Sequence, residues 1–363
     1  MLVEKNNLSN LKLTQKISVP NGADVFIGQW FILDVEILAS LPLPSDFEIK
    51  LDNLFGLEID NSYSGSSVFN KDRTVFKDSF LLTVGNSDSI KSGDKLSYDI
   101  IVNDVPINVI YHARDMDSSQ MMLTADKKFI AAQDIEHIIG VDNNHYIIFS
   151  EELKDKSGRS MKNTPIKIGT SMEDEIEVLT FSTNSVLPEI IKPTTVGSMK
   201  FITVHSDSSG NIKFRFYPTG NRAMLLKLIS MVDSVAVEGE TVYVISPRPA
   251  QSYKWLPKAI IPALINGILR KDGEEFEVKV PAFHYASPED RIFFLTNLKD
   301  GIPDSNALIS SYFLGSSSGG HYSYCLNYDK LPANKFLKIY YVIISEFANI
   351  AYSAALDVEY LES

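Results

Sequence analysis

The sequence predicts an all-β chain of tandem sandwich domains. Three observations predict it. Apolar and polar residues alternate at a period of two along much of the chain, the pattern of half-buried strands. Turn residues separate these runs at intervals of about 8–12 residues, as in sandwiches. The length of 363 residues exceeds one sandwich and suits two or three domains.

In the first block, residues 1–115, Phe31, Leu33, Val35 and Ile37 alternate with Ile32, Asp34 and Glu36. Leu96, Tyr98, Ile100 and Val102 alternate after the turn Ser92-Gly93-Asp94, and Val109 and Tyr111 close the block. Asn103-Asp104 predicts a tight turn. Pro106 pushes its strand toward a sheet edge, because proline cannot donate to a ladder.

The second block, residues 116–246, carries Tyr146 and Ile148, the turn Lys156-Ser157-Gly158, then Pro165, Ile166 and Ile168. Residues 175–182 read as one strand. Residues 199–218 show the alternation most clearly: Ile212, Phe214 and Phe216 face one way, Lys213, Arg215 and Tyr217 the other. Ser206, Asp207, Ser208, Ser209, Gly210 and Asn211 separate the two runs and predict a hairpin. Residues 131–139 have near-helical spacing and predict a short helix. Residues 223–232 are apolar almost all round, so a helix and a fully buried strand both fit.

The third block, residues 247–363, opens on the proline-interrupted linker Ser246-Pro247-Arg248-Pro249. Phe276, Val278 and Val280 alternate with Glu275, Glu277 and Lys279 until Pro281 stops the strand. Ile292 with Phe294, Tyr340 with Val342, and Leu356, Val358 and Tyr360 supply further strands. The blocks repeat an architecture, not a sequence.

Composition bounds the function. Hydrophobic residues make up 44%, enough for packed cores. Formal net charge is -12, which disfavours nucleic acid and anionic membrane surfaces as partners. No apolar run reaches the about 18 residues that a spanning helix needs. Cys325 is the only cysteine, so an intrachain disulfide and a multi-thiolate zinc site are excluded. The N-terminus lacks a basic start followed by an apolar core, so the expectation is a chain that is cytoplasmic or released by a signal-independent route.

Catalytic motifs are weak. Gly315-Ser316-Ser317-Ser318-Gly319 matches a G-x-S-x-G nucleophile elbow in letters, but a β-like run follows where that motif needs a helix. A flexible hairpin loop is the preferred reading. His112, His137, His145, His205, His284 and His321 are scattered, without the i, i+4 spacing of a helical metal pair. Walker and dinucleotide fingerprints are missing. No cofactor is expected. Acidic clusters occur at Glu173-Asp174-Glu175-Glu177, Asp142-Asn143-Asn144 and Asp115/Asp117. Solvated loops account for each. Asp115 and Asp117 are the calcium candidates, because they fall at the first domain junction.

Aromatics point to recognition. The chain has 16 Tyr, 20 Phe and 2 Trp. Tyr253 and Trp255 lie beside the linker at 247–257, and Tyr312, Tyr322, Tyr324 and Tyr328 surround the serine-glycine loop. Tyr and Trp cover large area at low entropic cost, so these six are the candidate ligand-binding residues. The alternative is ordinary strand-face and core tyrosine.

The middle block resembles the immunoglobulin-like modules of bacterial invasin- and intimin-type surface proteins. The resemblance rests on Lys154-Asp155-Lys156-Ser157-Gly158 followed by Asn163-Thr164-Pro165-Ile166, and on Ser206-Asp207-Ser208-Ser209-Gly210-Asn211-Ile212-Lys213-Phe214. The third block resembles such modules of large exoproteins through residues 256–269, 274–283 and 340–345. The resemblance covers about two-thirds of the chain and implies tandem immunoglobulin-like β-sandwich domains with a few short helices. It implies a spacer or adhesive role and brings no catalytic residues.

The resulting expectation is a non-enzymatic bacterial binding protein. Its partner is a protein or glycan on a cell surface, met through sandwich loops. Two alternatives stand beside it. One is a secreted toxin whose apolar run 223–232 or 260–269 enters a membrane. The other is a structural part of a phage tail or injection apparatus.

Overall fold

A computed structural model describes residues 12–362 except 64, 66, 118, 120, 133–144, 171–172, 219–222, 233–234, 246–253, 299–307, 334 and 346–348. The linker 246–249, the acidic segment 142–144 and most of the helix expected at 131–139 fall outside the described residues. Among those described, regular structure is nearly all strand, with 3-10 turns at Glu173–Val178 and Tyr328–Lys330.

Three sandwich cores follow one another along the chain. The first draws on residues 19–113, the second on Phe26 with residues 121–244, and the third on residues 256–360. In the first, one sheet runs Leu13–Ile17, Trp30–Ala39, Val75–Val84, Leu57–Ile59. The facing sheet runs Asp24–Phe26, Val105–Arg114, Lys95–Val102, Ile49–Phe55. Phe31, Leu33, Val35 and Ile37 meet Leu96, Tyr98, Ile100 and Val102 in the core, all buried. Asn103 and Asp104 both take left-handed φ, 51° and 61°, and close a two-residue hairpin whose twist suits the strands it joins.

The second domain pairs Ile147–Glu152 with Asn211–Tyr217 in one sheet, and Pro165–Thr170 with Met199–His205 and Met224–Val232 in the other. In the first two domains the opening segment changes sheets. Leu13–Ile17 runs antiparallel in one sheet before Asp24–Phe26 runs parallel in the other. Thr124–Ala125 and Phe129–Ala131 repeat the device. In the third domain a large sheet centred on Lys335–Ile344 faces the pair Glu275–Pro281 and His321–Asn327.

Three expectations change. The run 199–218 is not a hairpin. Its two strands lie in opposite sheets, and residues 206–210 arch over the core between them. The reason is that Ile202 and Val204 enter the core from one side, and Ile212, Phe214 and Phe216 from the other. The arch is held by Asp207, whose Oδ1 accepts from the N–H groups of Ser209 and Asn211 at 2.8 and 2.9 Å. Gly210 lies at φ 85°, where a Cβ would meet Leu153 O at 2.9 Å. Second, residues 175–182 split into the 3-10 turn Glu173–Val178 and the strand Thr180–Thr183. Ile176 within the turn and Leu179 just after it are both buried. Third, the apolar run 223–232 is the strand Met224–Val232, alternating buried and half-buried between two neighbours.

The first junction is densely bonded. Asp24 is buried between Arg114, Nε–Oδ1 2.8 Å, and the Lys162 N–H, which donates to Oδ2 at 2.9 Å. Gln29 accepts from the Phe26 N–H and donates to Pro165 O of the second domain. Trp30 meets Phe201 edge-on, centroids 5.6 Å apart, and the Lys167 ammonium sits 3.1 Å from the Trp30 ring centroid. At the second junction Phe293 packs on Tyr243 and Phe129, beside Ile245, Leu295 and Val342.

Candidate functional site

The tyrosines picked from the sequence divide sharply. Strand His321–Asn327 alternates, and its inward set is Tyr322, Tyr324 and Leu326, facing Phe276, Val278 and Val280 of the paired strand. Tyr322 is 6% exposed, Tyr324 8% and Tyr328 1%. Tyr324 donates its hydroxyl to Leu314 O at 2.8 Å and packs edge-on against Phe294. Burial pushes that hydroxyl above the ordinary phenol range. Tyr328 lies between Phe276 and Tyr360. These three are core residues and offer a ligand no surface, which corrects the expectation. The physical reason for Tyr322 and Tyr324 is register: the period-two pattern turns every second residue inward, and they occupy that set. Tyr328 is buried at the start of the 3-10 turn that follows the strand. Tyr312 is half-buried, with its hydroxyl donated to Cys325 O. Tyr253 and the side chain of Trp255 lie outside the described residues.

What the end of this domain exposes is its loops. Residues 316–320 are exposed, and Ser318 and His321 exchange backbone hydrogen bonds of 2.8 and 3.1 Å around Gly319 and Gly320. Both glycines have left-handed φ, 59° and 79°, as a tight turn between strands requires. Strand Leu308–Phe313 precedes the serines and strand His321–Asn327 follows. The strand-to-helix elbow that would present a nucleophilic serine is therefore not formed.

A second loop, residues 282–290, lies against this one. Ala282 N–H donates to Gly320 O at 2.9 Å, Gly315 N–H to Pro288 O at 3.1 Å, and Leu314 N–H to Asp290 O at 2.7 Å. Buried Asp290 anchors the loop further, its Oδ2 accepting from the Ser287 N–H at 3.0 Å. At the tip stands Tyr285, fully exposed and at φ 65°. A bulky residue there is a backbone outlier costing about 1–3 kcal/mol, and it persists only where its surroundings hold it. His284 is exposed beside it, ring centroids 6.4 Å apart. Reasoning from the sequence missed Tyr285 because it belongs to no alternating run. Its one local signal is a tyrosine between His284 and Ala286, just before Pro288.

The calcium candidates are engaged locally. Asp117 Oδ1 accepts from the Ser119 N–H and hydroxyl at 3.1 and 2.6 Å. Asp115 lends its backbone carbonyl to the Lys156 N–H. Among the described residues, no three of His, Cys, Asp or Glu converge to hold a metal ion. No described helix is long and apolar enough to cross a membrane.

No protein-family model matches the sequence, and no curated protein matches it. Solved structures do. The D00-D0 domain of intimin aligns over 64% of this chain and all of its own, at 10% identity and TM-score 0.22. Invasin, titled a bacterial integrin-binding protein, aligns over 97% of this chain at 10% identity and TM-score 0.24. This chain covers 60% of invasin's length. Domains 5-6 of the S-layer protein SbsC align over 65% of the chain at 11% identity and TM-score 0.24. The likeness to intimin and invasin modules, expected from the motifs around Asp155 and Asp207, is thus found among solved structures, while the sandwich assignment rests on the paired sheets themselves.

Proposed function

We propose that this protein is a non-enzymatic binding protein of bacterial origin, recognising a protein or glycan on a cell surface through the loops ending its third domain. One observation carries the reading: Tyr285, fully exposed, is held at a left-handed φ by a loop pinned to its neighbour at three backbone positions. A tyrosine covers large area with few rotatable bonds, and holding it in place beforehand lowers the entropic cost of docking. The exposed serines 316–318 and His284 beside it supply hydroxyl and imidazole partners for a polar ligand.

The test is a glycan-array and cell-binding screen with the full chain, its Tyr285→Ala variant and its Tyr285→Phe variant. Binding that falls by about tenfold or more in Tyr285→Ala, and much less in Tyr285→Phe, supports the reading. Binding untouched by Tyr285→Ala, or ester or glycoside turnover abolished by Ser317→Ala, overturns it.

A further inference from the structure

The first domain carries a cleft of about 410 Å³ whose origin is a gap in strand pairing. Strand Val75–Val84 pairs with Leu57–Ile59 at residues 82–84 and with Val68–Phe69 at residues 76–77. Between these stretches the described residues of the connecting segment make no ladder pair with residues 78–81. The segment passes so close at Gly65 that a Cβ there would sit 2.0 Å from Ser79 O. The Ser79 N–H donates to Asp78 Oδ1 at 2.9 Å, and Ser67 Oγ donates to the same oxygen at 2.9 Å.

The chemistry of the lining is specific. Asp60 and Asp78 both border the cleft. Asp60 Oδ1 accepts from the Ser62 N–H and hydroxyl at 2.8 and 2.6 Å, which holds its carboxyl below the ordinary range. Among the described residues, the hydrogen bonds to each aspartate fall on Oδ1. Ser79, also in the lining, donates its hydroxyl to Asp34 at 2.6 Å, adding a third carboxylate behind the wall. The lining's cation, Lys50, is matched by Glu48 at 2.5 Å. The cleft's charge is therefore negative. Its apolar walls are Ile49 and Leu51 from one sheet and Ile59 and Phe80 from the other, with Asn61 and Ser67 also in the lining. The Tyr63 ring and Leu81 close it on the side where they pack with Phe201 of the second domain.

We propose that this cleft binds a guanidinium-bearing organic cation, the chemistry of an arginine side chain. Carboxylate oxygens accept a guanidinium in paired hydrogen bonds. The apolar walls accommodate the methylene stem, and an aromatic ring supplies a face for the charge. The volume lies in the range of small-ligand pockets. A net charge of -12 on the whole chain draws a basic partner toward it. The site is separate from the Tyr285 loops and stands whether or not they bind.

Titration calorimetry on the full chain tests this with agmatine, an acetylated peptide carrying one arginine, and glucose. Agmatine and the peptide bind, more weakly as salt is raised, and glucose does not. Asp60→Asn with Asp78→Asn lowers affinity by about tenfold while keeping the Oδ1 acceptors. Lys50→Ala, on an exposed residue, tightens binding, a gain that mere loss of structure cannot mimic. Tyr285→Ala leaves binding unchanged. Equal affinity for agmatine and peptide assigns a free amine as the source, and tighter peptide binding assigns a protein partner. Binding of glucose in place of agmatine, or affinity unmoved by both the Asn pair and Lys50→Ala, overturns the proposal.

Discussion

The Lys167 ammonium of the second domain lies 3.1 Å from the ring centroid of Trp30 in the first. Lys167 is itself buried, so the indole face takes charge that water no longer solvates. Trp30 also meets Phe201, which makes it the centre of the junction. Trp30→Ala is expected to destabilise the chain by about 2–4 kcal/mol. Denaturant unfolding checks this, and it should also show domain transitions that separate in the variant.

Buried Asp24 gives a second prediction at the same junction. It accepts from Arg114 and from the Lys162 N–H. Asp24→Ala leaves both donors without their acceptor and is expected to cost about 3 kcal/mol. Hydrogen exchange at the Lys162 amide should accelerate in the variant. An amide as protected as in the parent chain would sink the idea.

Stability should peak in mildly acidic solution. Glu151 is buried, and its Oε2 accepts from Ser230 Oγ at 2.6 Å, joining the two sheets across the second core. Burial raises its pKa to about 7. A raised acid contributes stability that is full below its unfolded value and is lost as pH rises through the folded one. His205 shifts the other way, down to about 4 by burial, so its contribution is present above the unfolded imidazole value and is lost as pH falls toward 4. The two windows leave a maximum near pH 5–6. Glu151→Gln is expected to recover up to about 3 kcal/mol at pH 8 and nothing at pH 4, read by thermal unfolding across pH.

Gly210 faces both a positive φ and a carbonyl where its side chain would go. Gly210→Ala is expected to destabilise by about 2 kcal/mol, whereas Ala at exposed Gly273, which has open space despite its φ of 90°, should cost only about 1 kcal/mol. Paired melting curves separate the steric part from the backbone part.

Tyr285→Gly should raise stability by about 1 kcal/mol, because glycine takes φ 65° without strain. Binding through the loop should fall in the same variant. A variant that is less stable than the parent would show that the backbone there is not strained.

Much of the fold was legible because its cause is local. Phe31 to Ile37 and Leu96 to Val102 alternate, and alternation is all that a half-buried strand demands of a sequence. Asn103-Asp104 announces its turn because those residue types tolerate left-handed φ. The arch at residues 206–210 was not legible, since the same turn residues serve a link within one sheet or between two. Which occurs depends on whether Ile166 and Phe149 stand opposite Val204 and Phe214 or elsewhere. Periodicity marked Tyr322 and Tyr324 as a set but not which side faced the core. Tyr285 owes its exposure to anchors at Asp290 and Gly320, and the first-domain cleft to a break in pairing between residues 77 and 82. Such long-range causes leave no local pattern.

The arch between Met199–His205 and Asn211–Tyr217 also sets the order of events when the chain folds. The two strands do not zip onto each other; the local pairing there is the short one of Met199–His205 with Thr194–Val196. Each also needs a partner drawn from far upstream, Pro165–Thr170 for one and Ile147–Glu152 for the other. The ends of those long loops must meet before these distant contacts reward them, which places the second domain among slow, high-contact-order folders with times of milliseconds to about a second. During that interval both strands present open edges, and the nascent chain is most exposed to wrong pairing with a neighbouring copy.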